Sequence, residues 1–473
     1  MASEGAGVAP LAASAKEASA VRTEPRADGT GNEHREASRM RIALCKARFA
    51  GPVSGADETL VTYASRLCAA GHDVEVVTLF PYSTRDPYFR RLRRAGVPVR
   101  TIVERAWLFS LLQSVRAAAT HALFVFVLLY SFASHMRGLW TSILHFVSRL
   151  YLHRCIRFFT ANRYDVVHIL TPDSGTPVLI RACHAQGIRT LYQELGSPLH
   201  PEADRHYRRL ARVIPLCTSV VALSPKLAEQ WAERFRHPGG IGVLPLLCER
   251  PAAWPIPRRP MPFDVVFGFS GRLEPLKGTL ALLAAFARLG PSHARPFLRI
   301  AGEGPEAYKA RRLSSDLGIA DACDYVGRYN SLEGRSAFFG TLDVFVLPTR
   351  TEGTPNSIIE AMAAGIPVIA SGVGGIPDML SPDTGIIVPP GDQDALVAAM
   401  RRLGQDSALR ERLGAAARRR YERLFGPDAV LPMLIERYHA VIAAEPQAAK
   451  LGIIPGSHPW SATGPAMSRA ASA

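Results

Sequence analysis

The stretch TRTEGTPNSIIEAMAAGIPVIAS, residues 349–371, decides how the rest of the chain is read. It joins two apolar runs, DVFVLPT (343–349) and PVIAS (367–371), through a loop and one short helix. Thr354 offers an N-cap hydroxyl, Pro355 suits the first helical position and Gly365 closes the helix. Strand, helix and next strand make the repeating unit of a parallel α/β sheet. The first helical amides, of Asn356, Ser357 and Ile358, face the edge where an anion binds in such sheets. Glu352 lies in the loop, and Glu360 about one and a half turns into the helix, where the dipole does little for a carboxylate. A carboxylate there can accept the two hydroxyls of a ribose; for this helix taken alone, an exposed helix former is the plainer reading.

The same rhythm recurs on both sides of this unit. RIALC (41–45), DVEVVTL (73–79), DVVHIL (165–170), TLYQ (190–193) and SVVAL (219–223) are strand candidates of a first domain. DVVFGFS (264–270), FLRIAG (297–302), DVFVLPT, PVIAS and TGIIVPP (384–390) are those of a second, and proline-rich WPIPRRPMPF (254–263) lies between. The expected organisation is a disordered leader (1–39), a first Rossmann-like domain (40–250), a linker (251–263), a second Rossmann-like domain (264–420), a terminal helix (421–445) and a disordered tail (446–473). With 473 residues the chain is long enough for two cores.

Charge is distributed unevenly. The formal net charge is +15, and residues 41–250 hold about 27 Lys and Arg against about 14 Asp and Glu. No nucleic-acid-binding signature accompanies these arginines, which leaves an anionic membrane surface as the expected partner. AAATHALFVFVLLYSFASHM (117–136) lies in the same half and carries no formal charge. It fits a buried helix or hairpin, or in-plane or re-entrant contact with a bilayer; a true span would place the two domains on opposite sides. The seven cysteines are scattered without a C-x-x-C pair and read as reduced, cytosolic thiols. With no apolar h-region in the leader, the expected location is cytoplasmic, peripheral at the inner membrane face.

GRLEPLKG (271–278) comes directly after the strand DVVFGFS, so Arg272 and Lys277 leave it where a ligand would sit. A forked cation and a mobile one five residues apart suit a diphosphate, although a solvated basic turn is the plainer reading of that motif alone. Asp392-Gln393-Asp394 has the spacing of a metal pair, but Asp392 stands where an N-cap is expected.

Taken together, E-G-x-P-N-S-x-x-E-A-M-A-x-G-x-P-V-I-A-S (352–371) and G-R-L-x-x-x-K-G (271–278) resemble the retaining glycosyltransferases of family GT4, which have the GT-B fold. IAGEGPE (300–306), DYVGRYN (324–330), GGIPDML (374–380) and TGIIVPPGDQDAL (384–396) occur in the family's order, and GPVSGADETLVTYASRLCAAGHDVEVVT (51–78) resembles its opening loop and helix. The resemblance covers roughly residues 40–440. It implies two Rossmann-like domains facing across a cleft, with the C-terminal helix crossing back to the first domain.

It also implies site roles. Glu360 would bind the ribose of a nucleoside diphosphate sugar, Arg272 and Lys277 its diphosphate, and Glu352 with Gly353, Thr354, Pro355, Asn356 and Ser357 the sugar and distal phosphate. Val326, Gly327 and Arg328 would lie near the base, and Gly55 would let the first domain approach the phosphates. The chain departs from the family at Ser54-Gly55, at PLLCE (245–249) and at YQELG (192–196). At the last, Glu194 either faces the reacting sugar in place of a histidine or is a satisfied loop carboxylate.

The implied activity is sugar transfer with retention, by front-face attack, to a glycan or lipid-linked hydroxyl acceptor. Arg272, Lys277 and Glu352 would carry the catalysis, with no metal and no cofactor beyond the donor. A nucleotide-sugar epimerase on the same fold and an inactive scaffold are the alternatives.

Overall fold

The computed structural model describes residues 39–444 apart from 50–54, 85, 104–148, 171–172, 174, 199–202, 251–260, 291–294 and 330. The leader up to residue 38, Ser54, the apolar 117–136 segment, most of the linker and the tail from 446 lie outside the described residues.

Two parallel sheets organise the chain, and the fold is GT-B. The first contains β1 (Arg41–Lys46), β2 (Asp73–Thr78), β3 (Val99–Thr101), β4 (Val166–Leu170), β5 (Thr190–Gln193), β6 (Ser219–Ala222) and β7 (Gly242–Val243), in the order β3-β2-β1-β4-β5-β6-β7. The second contains β8 (Val265–Ser270), β9 (Pro296–Ala301), β10 (Cys323–Gly327), β11 (Val344–Leu347), β12 (Val368–Ser371) and β13 (Gly385–Val388), in the order β10-β9-β8-β11-β12-β13. β4, β8, β11 and β12 are buried along their whole length, which is why they read as unbroken apolar runs. β3 and β7, of three and two residues, give no comparable sequence signal.

Each sheet reverses its strand order once, between β1 and β4 and between β8 and β11. Crossovers leave to opposite sides at such a point, so a crevice opens at the strand carboxyl ends. In the second sheet, GRLEPLKG and the 349–371 stretch leave from the two strands that flank it. The two loops are stitched together: Arg350 N–H donates to Leu276 O at 2.8 Å and Thr349 Oγ1 to the same oxygen at 2.9 Å. Gly278 has φ 77°, and a Cβ there would stand 2.1 Å from Pro348 O, so only glycine permits this approach.

The C-terminal segment is two helices, Ser407–Leu424 and Pro427–Ala443, broken at Phe425-Gly426, where one helix was expected over 421–445. Pro427 lacks the amide needed to continue the first helix and instead starts the second. Val430, Leu434, Tyr438 and Val441 pack with Ile42, Leu44 and Tyr63 of the first domain. Tyr438 OH meets His168 Nδ1 of β4 at 2.8 Å, and Tyr421 OH donates to Cys248 O at 2.9 Å. Burial lowers the His168 imidazole to about 3, so it stays neutral in the core.

Candidate active site

The helix after β11 runs from Asn356 to Ala364, one residue later than expected. Pro355 is its cap, with an extended ψ of 121° and no side-chain bond, and Thr354 Oγ1 is buried without a partner among the described residues instead of capping. Ile358 N–H is taken by Pro355 O at 3.1 Å, so the expectation of three free amides is corrected to those of Asn356 and Ser357. These two point from a helix N-terminus at the β8/β11 crevice.

Lys277 and Glu352 form an ion pair across the crevice, joining the two motifs. The Lys277 side chain is 22% and that of Glu352 9% exposed, so the pair is drawn partly out of water yet reachable. Arg272 is not in that pair. Its guanidinium contacts Glu274 at 2.6 Å and is 64% exposed, free enough to swing towards a diphosphate.

Glu360 is enclosed by a network that its own helix does not reveal. Arg335 donates to Oε1 at 2.8 Å and Tyr329 OH to Oε2 at 3.1 Å, while Tyr329 OH also meets Ser270 Oγ at 2.7 Å. Burial raises the Glu360 carboxyl above its ordinary range, and Arg335 opposes that rise. Two ionised oxygens offer about four acceptor positions, so two remain for a pair of ribose hydroxyls. Arg335, within SLEGRSAFFG (331–340), carried no sequence signal: its role exists only because the helix Leu332–Phe339 lies beside Asn356–Ala364. Tyr329 stands in the quoted DYVGRYN stretch, and its aromatic ring could have drawn notice.

Near the expected base region, Val326 is exposed, Gly327 has φ 73° and Arg328 contacts Glu303 at 3.0 Å. Gly55 opens the helix Gly55–Ala69 of the first domain, and Asn356 Nδ2 donates to its carbonyl at 3.4 Å. A Cβ on Gly353 would stand 2.7 Å from Leu195 O, so the first domain's β5 turn and the Glu352 loop meet backbone to backbone. Glu194 does not face this crevice. It is 1% exposed and accepts from Tyr192 OH at 2.5 Å, Gly196 N–H at 2.8 Å and Tyr207 OH at 3.4 Å, the satisfied carboxylate of the two readings.

Asp392 caps the helix Gln393–Gln405 by accepting from Ala395 N–H at 2.9 Å, and Asp394 contacts Arg288 at 2.6 Å. Both carboxylates of that metal-like pair therefore have protein partners.

The family model for glycosyl transferases group 1 matches residues 262–420. A glycogen synthase of Mycobacterium tuberculosis is 32% identical over 198 residues, 41% of this chain and 48% of the relative. A GDP-mannose-dependent monoacylated alpha-(1-6)-phosphatidylinositol monomannoside mannosyltransferase of Corynebacterium glutamicum is 28% identical over 270 residues, 54% of this chain and 68% of the relative. The chain spans about half the length of the glycogen synthases it matches. Among solved structures, Anabaena HepE in complex with UDP and glucose superposes with a TM-score of 0.63 at 16% identity, covering 85% of this chain and 100% of that one.

Proposed function

We propose that this chain, whose residues 262–420 match the family model for glycosyl transferases group 1, moves a sugar from a nucleoside diphosphate sugar to a hydroxyl acceptor with retention of configuration. The observation that carries the reading is the Lys277–Glu352 pair beside the amides of Asn356 and Ser357, with Glu360 one helical turn further on. Glu360 takes the ribose and Val326–Arg328 the base. Lys277 and Arg272 take the diphosphate, and Glu352 with Gly353–Ser357 the sugar.

In this reading no protein nucleophile is needed. The acceptor hydroxyl attacks the anomeric carbon on the face that the diphosphate leaves, and the departing phosphate oxygen accepts its proton. The bond to the diphosphate breaks as the new glycosidic bond forms. Negative charge grows on the leaving group, and the Lys277 ammonium, the Arg272 guanidinium and the two amides stabilise it without metal. Glu352 and Glu360 do not form an opposed acid and base pair of the glycosidase kind, since Glu352 binds Lys277 and Glu360 binds Arg335.

The acceptor we propose is a lipid-linked or membrane-proximal glycan. Support comes from the first domain's basic faces. The helix Pro87–Arg94 buries Tyr88 and Leu92 and exposes Arg90, Arg93 and Arg94, and the helix Ala203–Ala211 exposes Arg208 and Arg209. Among the described residues no helix is long and apolar enough to cross a membrane, so contact through them would be peripheral. The relative that acts on a phosphatidylinositol mannoside is in keeping with such an acceptor.

Release of nucleoside diphosphate from a panel of nucleotide sugars, with and without EDTA, tests the reading. Release from one donor, unaffected by EDTA and lost in Lys277→Ala, is the expected result. No release from any donor, with no calorimetric binding of UDP, GDP or ADP, would overturn it. Flotation with anionic liposomes at moderate salt tests the acceptor side, and protein remaining at the bottom would sink it.

A further inference from the structure

Glu194 lies among aromatic side chains at the end of β5: Tyr192, Tyr207 and, stacked behind Tyr207, Trp231 and Phe235. Burial pushes its carboxyl up to about 7 even though Tyr192, Tyr207 and the backbone N–H groups of Gly196 and Leu195 oppose the rise; Tyr192 and Tyr207 are the titratable groups facing it, and Arg234 supplies a positive charge near Tyr207. A carboxylate in such surroundings carries a desolvation cost that a leucine would not.

What the carboxylate holds is the turn beside it. Its Oε1 takes Gly196 N–H, and Gly196 O accepts from Trp231 Nε1 at 3.3 Å, so both polar groups of Gly196 are tied to the first domain. The outer side of the same turn, Leu195 O and the Gly196 carbonyl, lies against Gly353 with no room for a side chain between. Behind Gly353, its own carbonyl accepts from Gly375 N–H at 2.9 Å. The Glu352–Gly353 loop is thus gripped between a first-domain turn and its own domain's 374–375 segment, and Glu352 is the residue that pairs with Lys277.

We propose that Glu194 is a positioning residue which, by fixing the Leu195–Gly196 turn, sets where Glu352 and the adjoining helix N-terminus stand when the two domains meet. It acts across the domain boundary through backbone contact alone. The catalytic consequence rests on the transferase reading, whereas the positional claim does not.

Hydrogen–deuterium exchange on the full chain, at one pH and without nucleotide, separates the two. In Glu194→Gln, which keeps the shape but loses the second acceptor oxygen, protection is expected to fall roughly tenfold at 195–197 and also at 352–359, with β11 unchanged. In turnover, kcat is expected to fall roughly tenfold while the donor KM stays within about twofold, because the nucleotide contacts persist and only their alignment suffers. Loosening confined to 195–197, or wild-type kcat and KM together, would overturn the proposal. Wild-type protein that turns over no donor counts against the transferase reading alone, and the exchange pattern then decides the positional claim. Should Glu194→Gln fail to fold, Tyr207→Phe removes the longest of the three bonds and is expected to give the same pattern at smaller amplitude; unchanged exchange at 352–359 in that variant would equally overturn it.

Discussion

Lys277, from the loop after β8, donates to the carboxylate of Glu352, from the loop after β11, so two motifs 75 residues apart in sequence meet in one ion pair at the crevice of the second sheet. Each group restrains the orientation of the other through this pair. On the proposed reading, a bound diphosphate would exchange one anionic partner of Lys277 for another and free Glu352 to accept sugar hydroxyls.

Lys277→Ala is therefore expected to act on both partners. It removes the positive charge for the leaving group and leaves Glu352 without its cation. Donor turnover should fall roughly 10²- to 10³-fold, the range for losing one preorganised charge stabiliser. Steady-state release of nucleoside diphosphate checks this, and a loss below about threefold would place the leaving-group charge elsewhere.

Arg335→Met tests the Glu360 network. The side chains are 9% and 12% exposed, so the variant leaves a buried carboxylate with only Tyr329 as a donor. Stability should drop by about 3 kcal/mol or more at neutral pH, as when one partner of a buried pair is removed. With its cation gone the Glu360 carboxyl rises further, so the loss should shrink as pH falls and Glu360 becomes neutral. Denaturant unfolding of both proteins at acid and neutral pH measures it; equal losses at both would show that Arg335 acts by packing.

Gly353→Ala places a methyl 2.7 Å from Leu195 O. Backbone cannot yield as a flexible side chain can, so the domains must separate locally. Turnover is expected to fall at least roughly tenfold while each domain keeps its fold, because alignment at the reacting centre is lost. Circular dichroism beside the release assay separates the two effects.

Glu194 gives a stability signature with a defined sign. Its carboxyl is raised in the fold from an ordinary 4.5 to about 7, so the folded chain holds this proton where the unfolded chain has released it. Its contribution is fully present below about pH 4.5 and is lost as pH rises to about 7. Glu194→Gln should flatten that part of the curve of unfolding free energy against pH, and a curve parallel to wild type between pH 4.5 and 7 would contradict the assignment.

Much of the fold is legible in the chain itself. The alternation of β-branched runs with helical ones specifies two parallel sheets, because a strand buried on both faces must be apolar throughout. GRLEPLKG directly after β8, and EGTPNS after the short loop 348–351 beyond β11, bring Arg272, Lys277 and Glu352 to the strand carboxyl ends, the edge at which parallel sheets take ligands. Helix ends are less legible. Pro355 and Gly426-Pro427 are strong local signals, yet the cap fell on Pro355 in place of Thr354, and the C-terminal segment divided so that its last helix packs against β4, β5 and the preceding helix.

Fold class, the order of the elements and the chemical types at the site are thus properties of the amino-acid order, because they depend on residue periodicity and on groups close together along the chain. The partners are not: Glu352 with Lys277, Glu360 with Arg335 and Tyr329, and Glu194 turned inward behind the turn that meets Gly353 are set by folding in three dimensions. Each pairing joins separate helices or loops, and hydrogen bonds and desolvation act over a few ångströms of space irrespective of how many residues intervene.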